Sequence, residues 1–250
     1  MQNYTGPVFI IIAALLWAFD GLIRQHLYTL PPITIIFFEH LIGLIILSPF
    51  VWKYVLKNKL TRREWKLVVL IAILSGLFGT LWFTAALGKV HFITISVVFL
   101  LQKLQPLFAI VSARLFLKER LDARYLKWAL LALLSAYFVT FPNGVVNLST
   151  GEGTAIAALY ALGAAFAWGS STTFSKMLLG KVDFKVSTFY RFLITVIVAL
   201  PVLFLWGKTA DTGFAMPNIS QFGFLALIAV STGMVALLIY YRGLAKTSVH

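Results

Sequence analysis

The chain is divided into apolar blocks of roughly 20 residues, the length of helix that crosses about 30 Å of hydrocarbon. Short loops between the blocks carry most of its charge. Inside hydrocarbon every backbone N–H and C=O must find a partner within its own segment, so such blocks fold as helices. Eight spans can be drawn: Pro7–Leu27, Ile33–Leu56, Leu67–Leu87, Phe92–Leu117, Tyr125–Phe141, Thr154–Leu179, Val186–Trp206 and Ile219–Tyr241. The fifth is the shortest. Pro31-Pro32, Pro142-Asn143-Gly144 and Met216-Pro217-Asn218 mark turns between them. The expected fold class is an all-α, multi-span membrane bundle. Composition points the same way: 60% hydrophobic and 12% charged, against about 45–50% and about 25% in soluble domains. That balance excludes a soluble globule and a disordered chain. The lack of cysteine excludes a disulfide-stapled module, zinc–thiolate centres and thiol nucleophiles.

A net charge of +13 would suggest nucleic acid on a soluble protein. Here the cations alternate by loop. Lys53, Lys57, Lys59, Arg62, Arg63 and Lys66 follow span two. Arg114, Lys118, Arg120, Arg124 and Lys127 follow span four. Lys176, Lys181 and Lys185 follow span six, and Arg242 and Lys246 follow span eight. The opposite loops hold Lys89 and Lys208, while Arg24, Lys103 and Arg191 lie inside spans. This is the positive-inside pattern. It predicts a multi-pass cell-membrane protein with a cytoplasmic N-terminus, in contact with lipid and not with nucleic acid. Met1–Gly6 has no cation, so it lacks the basic start of a cleaved signal peptide, and the first block reads as a retained helix.

The chain also repeats itself. Ala14-Leu15-Leu16-Trp17 resembles Ala165-Phe166-Ala167-Trp168. Phe37-Phe38-Glu39-His40-Leu41-Ile42 aligns with Phe189-Tyr190-Arg191-Phe192-Leu193-Ile194, and Pro49 with Pro201 at the same offset. Leu87-Gly88-Lys89 resembles Leu244-Ala245-Lys246. The expected repeats are residues 1–142, with five spans, and residues 143–250, with three. A five-span unit returns on the opposite side, so its duplicate is inverted, as in many transporters. Nothing up to His250 corresponds to Phe92–Pro142. The reading is a fragment of a longer protein, with helices supplied by a partner as the alternative.

With these residues in hand, the chain resembles the EamA-type branch of the drug/metabolite transporter superfamily. The resemblance rests on Trp17, on Trp168-Gly169-Ser170-Ser171 and on the Phe-Tyr-Arg-Phe-Leu run at 189–193. It rests further on Leu104-Gln105-Pro106-Leu107-Phe108 continuing to Phe116-Leu117-Lys118-Glu119-Arg120-Leu121. It implies a ten-helix fold of two five-helix inverted repeats that moves small organic solutes. The family often carries Arg in the second helix of each repeat. Arg191 fits, but the first copy has Glu39-His40.

Ionisable groups within spans usually face a cavity or a polar partner. Asp20 and Arg24, at i and i+4 on a face with Trp17, read either as an ion pair or as an acid beside an aromatic platform for the solute. Glu39 shares a face with Gly43. It reads either as a protonatable carboxylate or as the partner of Arg191. Gln102 and Gln105 share a face beside the kink expected at Pro106 and suit a polar solute. Trp82 in span three, and Trp168 with Ser171, Thr172 and Ser175 in span six, either line the pathway or pack. Hydroxyls in such helices often bond their own backbone. Gly76–Gly79 and Gly163–Gly169 are candidate flexible points. The expected solute-binding residues are Trp17, Asp20, Glu39, Trp82, Gln102, Gln105, Trp168 and Arg191, with Glu39 and Asp20 as proton carriers.

These features predict a secondary transporter working by alternating access, with no cofactor, metal or catalytic residue. There is no phosphate-binding GxxxxGK[ST], and His26, His40, His91 and His250 form neither HExxH nor a metal-ligand spacing. A channel-like subunit completed by a partner is the alternative, and a homodimer is left open. Three tryptophans among mixed charges suit a zwitterionic or aromatic solute, such as an amino acid or a nucleoside-like molecule.

Overall fold

A computed structural model of the chain describes residues 5–89, 95–119, 123–140, 143–145, 154–206 and 215–247. His91, Arg120, Leu121, Pro142, Lys208 and His250, which the sequence reading used, lie outside them. The described residues are helical, with no strand. We number the helices α1 (Thr5–Leu27), α2 (Pro32–Lys57), α3 (Arg62–Leu87), α4 (Ile95–Leu117), α5 (Ala123–Thr140), α6 (Thr154–Leu179), α7 (Phe184–Trp206) and α8 (Ile219–Leu244). All but α5 are long and apolar enough to span a bilayer. The fifth expected span is a helix, Ala123–Thr140, of which Leu126–Ser135 is described as apolar.

Local sequence explains where the helices begin. Pro32 opens α2, where its missing N–H costs nothing. Thr61 and Glu64 cap α3 reciprocally, and Asn218 and Gln221 cap α8 in the same way. Pro49 and Pro201 sit inside α2 and α7 without ending them. In α4 the helix breaks at Lys103–Leu104 and restarts at Gln105, with Pro106 in the new first turn. This is the interruption expected from that proline, placed one turn earlier in the chain.

Three segments widen to π-helical turns: Ala72–Gly79 in α3, Ala113–Leu117 in α4 and Ala229–Val235 in α8. A π turn shifts backbone carbonyls out of the regular i→i−4 ladder, and such turns gather at functional sites.

Contacts divide the chain into two compact units. One holds Met1–Leu77 and Phe174–Ser248; the other holds Phe78–Thr173. Each takes helices from both halves of the sequence. In the first unit α2 packs along α7 and α1 along α8. Its core joins Leu47 and Val51 of α2, Phe189 and Phe192 of α7, and Leu237, Tyr241 and Leu244 of α8. A second cluster sets Val68 and Ile71 of α3 against Leu178, Val182 and Val186. Gly43 lets the Phe192 ring lie where a Cβ would stand, and Gly6 and Gly243 let α1 and α8 meet backbone to backbone. Small residues at close helix crossings are how membrane helices gain packing without a hydrophobic driving force. In the second unit the first half of α4 packs on α5. Ser112 and Thr173 share a hydrogen bond at 2.7 Å, and Gly169 admits the Gln105 carbonyl 2.5 Å from an ideal Cβ position. Large apolar side chains such as Ile11, Phe50, Trp128 and Leu205 stay exposed, as on a lipid-facing surface.

Candidate functional site

The densest polar cluster of the first unit is built from α1, α2 and α8. Asp20 and Arg24 lie one turn apart on α1, which brings their side chains onto one face. Arg24 forks around Asp20, with Nε to Oδ2 at 2.8 Å and a terminal nitrogen to Oδ1 at 3.0 Å. Its other terminal nitrogen reaches Glu39 Oε2 of α2 at 3.0 Å. Arg24 is 2% exposed and Glu39 5%. The Thr232 hydroxyl of α8 donates to Asp20 Oδ1 at 2.6 Å. The Trp17 indole N–H donates to the Thr232 carbonyl at 2.8 Å. That carbonyl sits in the π-helical segment of α8, whose widened ladder makes it accessible.

Two carboxylates therefore meet one guanidinium. With both acids ionised the triad is one negative charge in excess; one added proton makes it neutral. A buried cluster of this kind is expensive to strand, because removing its cation leaves uncompensated charge. Tyr28 stands next to it, just beyond α1, within electrostatic reach of Arg24 and Asp20, and burial pushes its phenol up to about 12. Its hydroxyl is buried with no hydrogen-bond partner.

Arg191 was the other partner considered for Glu39, and this pairing is corrected: Glu39 bonds Arg24 instead. The reason is geometric. Asp20 fixes the Arg24 fork, and the remaining terminal nitrogen points across to α2. Arg191 of α7 instead approaches the Tyr241 hydroxyl at 3.4 Å. His40, next to Glu39, turns its ring toward Phe192, with centroids 5.1 Å apart, and its Nδ1 lies 2.9 Å from the Ile36 carbonyl.

In the second unit, Trp82 of α3 lies over Gly163 of α6, 2.8 Å from an ideal Cβ. Trp168 of α6 lies over Gly79 of α3, at 2.5 Å. These glycines, read as candidate flexible points, are sites of close packing. Trp168 also tilts against Phe83, with centroids 5.2 Å apart. Ser171 and Thr172 both donate to the Trp168 carbonyl, at 2.9 and 3.0 Å, so their hydroxyls serve their own backbone. Gln102 closes the first part of α4 and Gln105 opens the second, both half-buried, and Lys103 between them is exposed.

Trp17 bonds a carbonyl of the π-helical segment Ala229–Val235, and Trp168 packs over Gly79 at the end of the π-helical segment Ala72–Gly79. Thr232, Tyr241 and the Arg24–Glu39 bond escaped the sequence reading. The polar run Ser231-Thr232-Gly233 within an otherwise apolar span was the available signal for the first.

Seven long apolar helices among the described residues, with a buried charge cluster where helices meet, define a multi-pass membrane protein. The chain belongs to the EamA-like transporter family, whose model matches residues 4–141 and again 155–250. It is 36% identical over 248 residues to the riboflavin transporter ImpX of Fusobacterium nucleatum subsp. nucleatum, covering 98% of this chain and 82% of that protein. A protein of known crystal structure superposes with a TM-score of 0.74 at 17% identity, over 99% of this chain and 82% of its own, which is a likeness of fold.

Proposed function

We propose that this protein is a secondary active transporter of riboflavin or a closely related flavin, working by alternating access between two inverted repeats in the cell membrane, with a cytoplasmic N-terminus. The solute class is supported by the 36% identity to a riboflavin transporter along nearly the whole chain. The membrane orientation is supported by the cations of the loops after the even-numbered helices. The repeats, residues 1–142 and 143–250, are supported by the alignment of residues 37–42 with 189–194 in the sequence.

Proton coupling is carried by one observation, the charge imbalance of Asp20, Arg24 and Glu39. Closing a helix cluster around an excess charge is unfavourable in a low-dielectric interior. Loading one proton, on Glu39 or Asp20, neutralises the triad and permits the closed arrangement; losing it favours opening. Arg24 ties α1 to α2 and Thr232 ties α1 to α8, so a change in this charge reaches three helices at once. Asp20, Glu39 and Arg191 contribute polar solute contacts in the first unit.

The test is uptake of fluorescent riboflavin by proteoliposomes containing the full chain, with and without an imposed pH gradient. Accumulation against the riboflavin gradient, abolished by collapsing the pH gradient, supports the reading. Riboflavin movement that only equilibrates and ignores the pH gradient overturns the coupling, and no riboflavin movement overturns the substrate.

A further inference from the structure

Arg24 and Arg191, both in helices of the first unit, differ in how fully they are paired. Arg24 makes three charge-assisted bonds at 2.8 to 3.0 Å. Arg191, in the first third of α7, makes one hydrogen bond, to the Tyr241 hydroxyl at 3.4 Å, beyond the 2.7–3.2 Å of ordinary N–H···O bonds. Its Nε is buried with no hydrogen-bond partner, and its Cζ lies 6.0 Å from the Tyr241 ring. No carboxylate lies within salt-bridge distance of it among the described residues; Glu39, within its Coulombic reach, is bonded to Arg24.

The neighbours on its own face do not make up the deficit. Ser187, Thr188 and Thr195, one turn before and one turn after, are all buried. Ser187 donates its hydroxyl hydrogen to the Asp183 carbonyl just before α7 at 3.1 Å, and Thr188 and Thr195 donate theirs to the α7 carbonyls of Phe184 and Arg191, both at 2.8 Å. Ser175 lies 3.1 Å from the Tyr241 hydroxyl, which fixes that phenol in place. A guanidinium has five N–H donors in a planar fork and no means of losing its charge. Arg191 is half-buried, and leaving its buried Nε–H unmatched inside a membrane bundle is costly. It is explained if the missing acceptors arrive with the solute.

We propose that Arg191, steadied by Tyr241 and Ser175, is the polar anchor of the solute site, receiving two coplanar acceptor atoms through its free Nε–H and a terminal N–H. This rests on the flavin reading above and deepens it. The acceptor pair is the carbonyl-bearing pyrimidine edge of the flavin ring, and the sugar-alcohol chain lies elsewhere. A fork meeting a planar pair of acceptors gives orientation as well as affinity, which a lysine at the same place would not.

The test uses the purified full chain in nanodiscs, with binding followed by flavin fluorescence for riboflavin and for lumiflavin, the same ring without the sugar-alcohol chain. Arg191→Gln, Arg191→Lys and Tyr241→Phe are compared with the parent for binding and for the melting temperature of the ligand-free protein. Arg191→Gln is expected to weaken riboflavin and lumiflavin by the same factor, roughly ten- to a hundredfold. The ligand-free melting temperature should hold or rise, because an unpaired charge has been removed. Arg191→Lys should recover only part of the affinity. Loss of riboflavin affinity with lumiflavin untouched overturns the assignment, as does unchanged binding, and so does a lowered ligand-free melting temperature, which marks a structural arginine. If the parent binds neither flavin, the flavin reading fails by itself. Uridine and tryptophan, titrated into the same variants, then decide on Arg191. Arg191-dependent binding of either keeps the anchor, and its absence for both overturns it.

Discussion

Trp168 covers Gly79 so closely that an ideal Cβ on the glycine would lie 2.5 Å from the indole nitrogen. The reciprocal contact, Trp82 over Gly163, is nearly as tight at 2.8 Å. Both are distances that real Cβ atoms do not reach, so α3 and α6 meet through two tryptophan-on-glycine seats.

Gly79→Ala and Gly163→Ala should each destabilise the protein, by about 1–3 kcal/mol, the usual range for forcing extra atoms into a packed site. Gly223→Ala is the control. Nothing lies within 4 Å of its would-be Cβ, and alanine is favoured over glycine in a helix by up to about 1 kcal/mol. It should therefore melt at the same temperature or slightly higher. Thermal unfolding in detergent, followed by tryptophan fluorescence, separates the three. Equal effects at all three positions would mean that the seats do not carry the packing.

The helices were legible because lipid solvation imposes length and hydrophobicity directly on the sequence, and the loop cations then fix their parity. The fifth, Ala123–Thr140, is a helix whose stretch Leu126–Ser135 is apolar. The charge cluster was half legible. Asp20 and Arg24 sit one turn apart and announce their pairing. That Arg24 rather than Arg191 takes Glu39 depends on which helix faces which, and a one-dimensional pattern does not hold that information. The repeat even misdirected the choice, because Glu39 and Arg191 occupy matching positions. The π turns were invisible: Ala72–Gly79 and Ala229–Val235 have the same apolar, small-residue composition as ordinary spans. Yet they present the Thr232 carbonyl to Trp17 and seat Trp168.

Glu39→Gln fixes the triad at neutrality while keeping an acceptor oxygen for Arg24. Riboflavin uptake by this variant should no longer rise when the outside of the vesicle is acidified, and it should fall to the rate seen without a gradient. Binding of riboflavin should survive. Asp20→Asn should do less, because its two oxygens are already engaged by Arg24 and Thr232. Gradient-driven accumulation by Glu39→Gln at the parent rate would remove Glu39 from the coupling.

Arg24→Met should be far more damaging than either acid substitution, because it leaves two buried carboxylates with no cation in contact. Breaking a buried pair from one side costs about 3–5 kcal/mol. The triple variant Arg24→Met, Asp20→Asn, Glu39→Gln removes all the charge together and should recover most of that loss. The comparison is read from melting temperatures of the four proteins. A single Arg24→Met as stable as the triple variant would mean that the acids accept protons without penalty and that the triad does not hold the helices.

Thr232 offers the sharpest separation between holding and transporting. Its hydroxyl has one hydrogen and two acceptors within reach, Asp20 Oδ1 at 2.6 Å and the Ile228 carbonyl at 3.3 Å. The shorter bond, to an ionised acid, takes the hydrogen. Thr232→Val keeps the shape and removes the donor, so Asp20 loses one of its two supports. The expected cost is about 1.5–3 kcal/mol, the range for a bond to a charged group. The Trp17 bond should be untouched, because it uses the Thr232 backbone carbonyl. A double-mutant cycle with Asp20→Asn isolates the contact. If the bond is as assigned, Thr232→Val should cost little in the Asp20→Asn background, and the coupling should equal most of the single-variant loss. Additive losses would instead mean that the hydroxyl serves its own helix at Ile228 and that α8 is not tied to the charge of the triad.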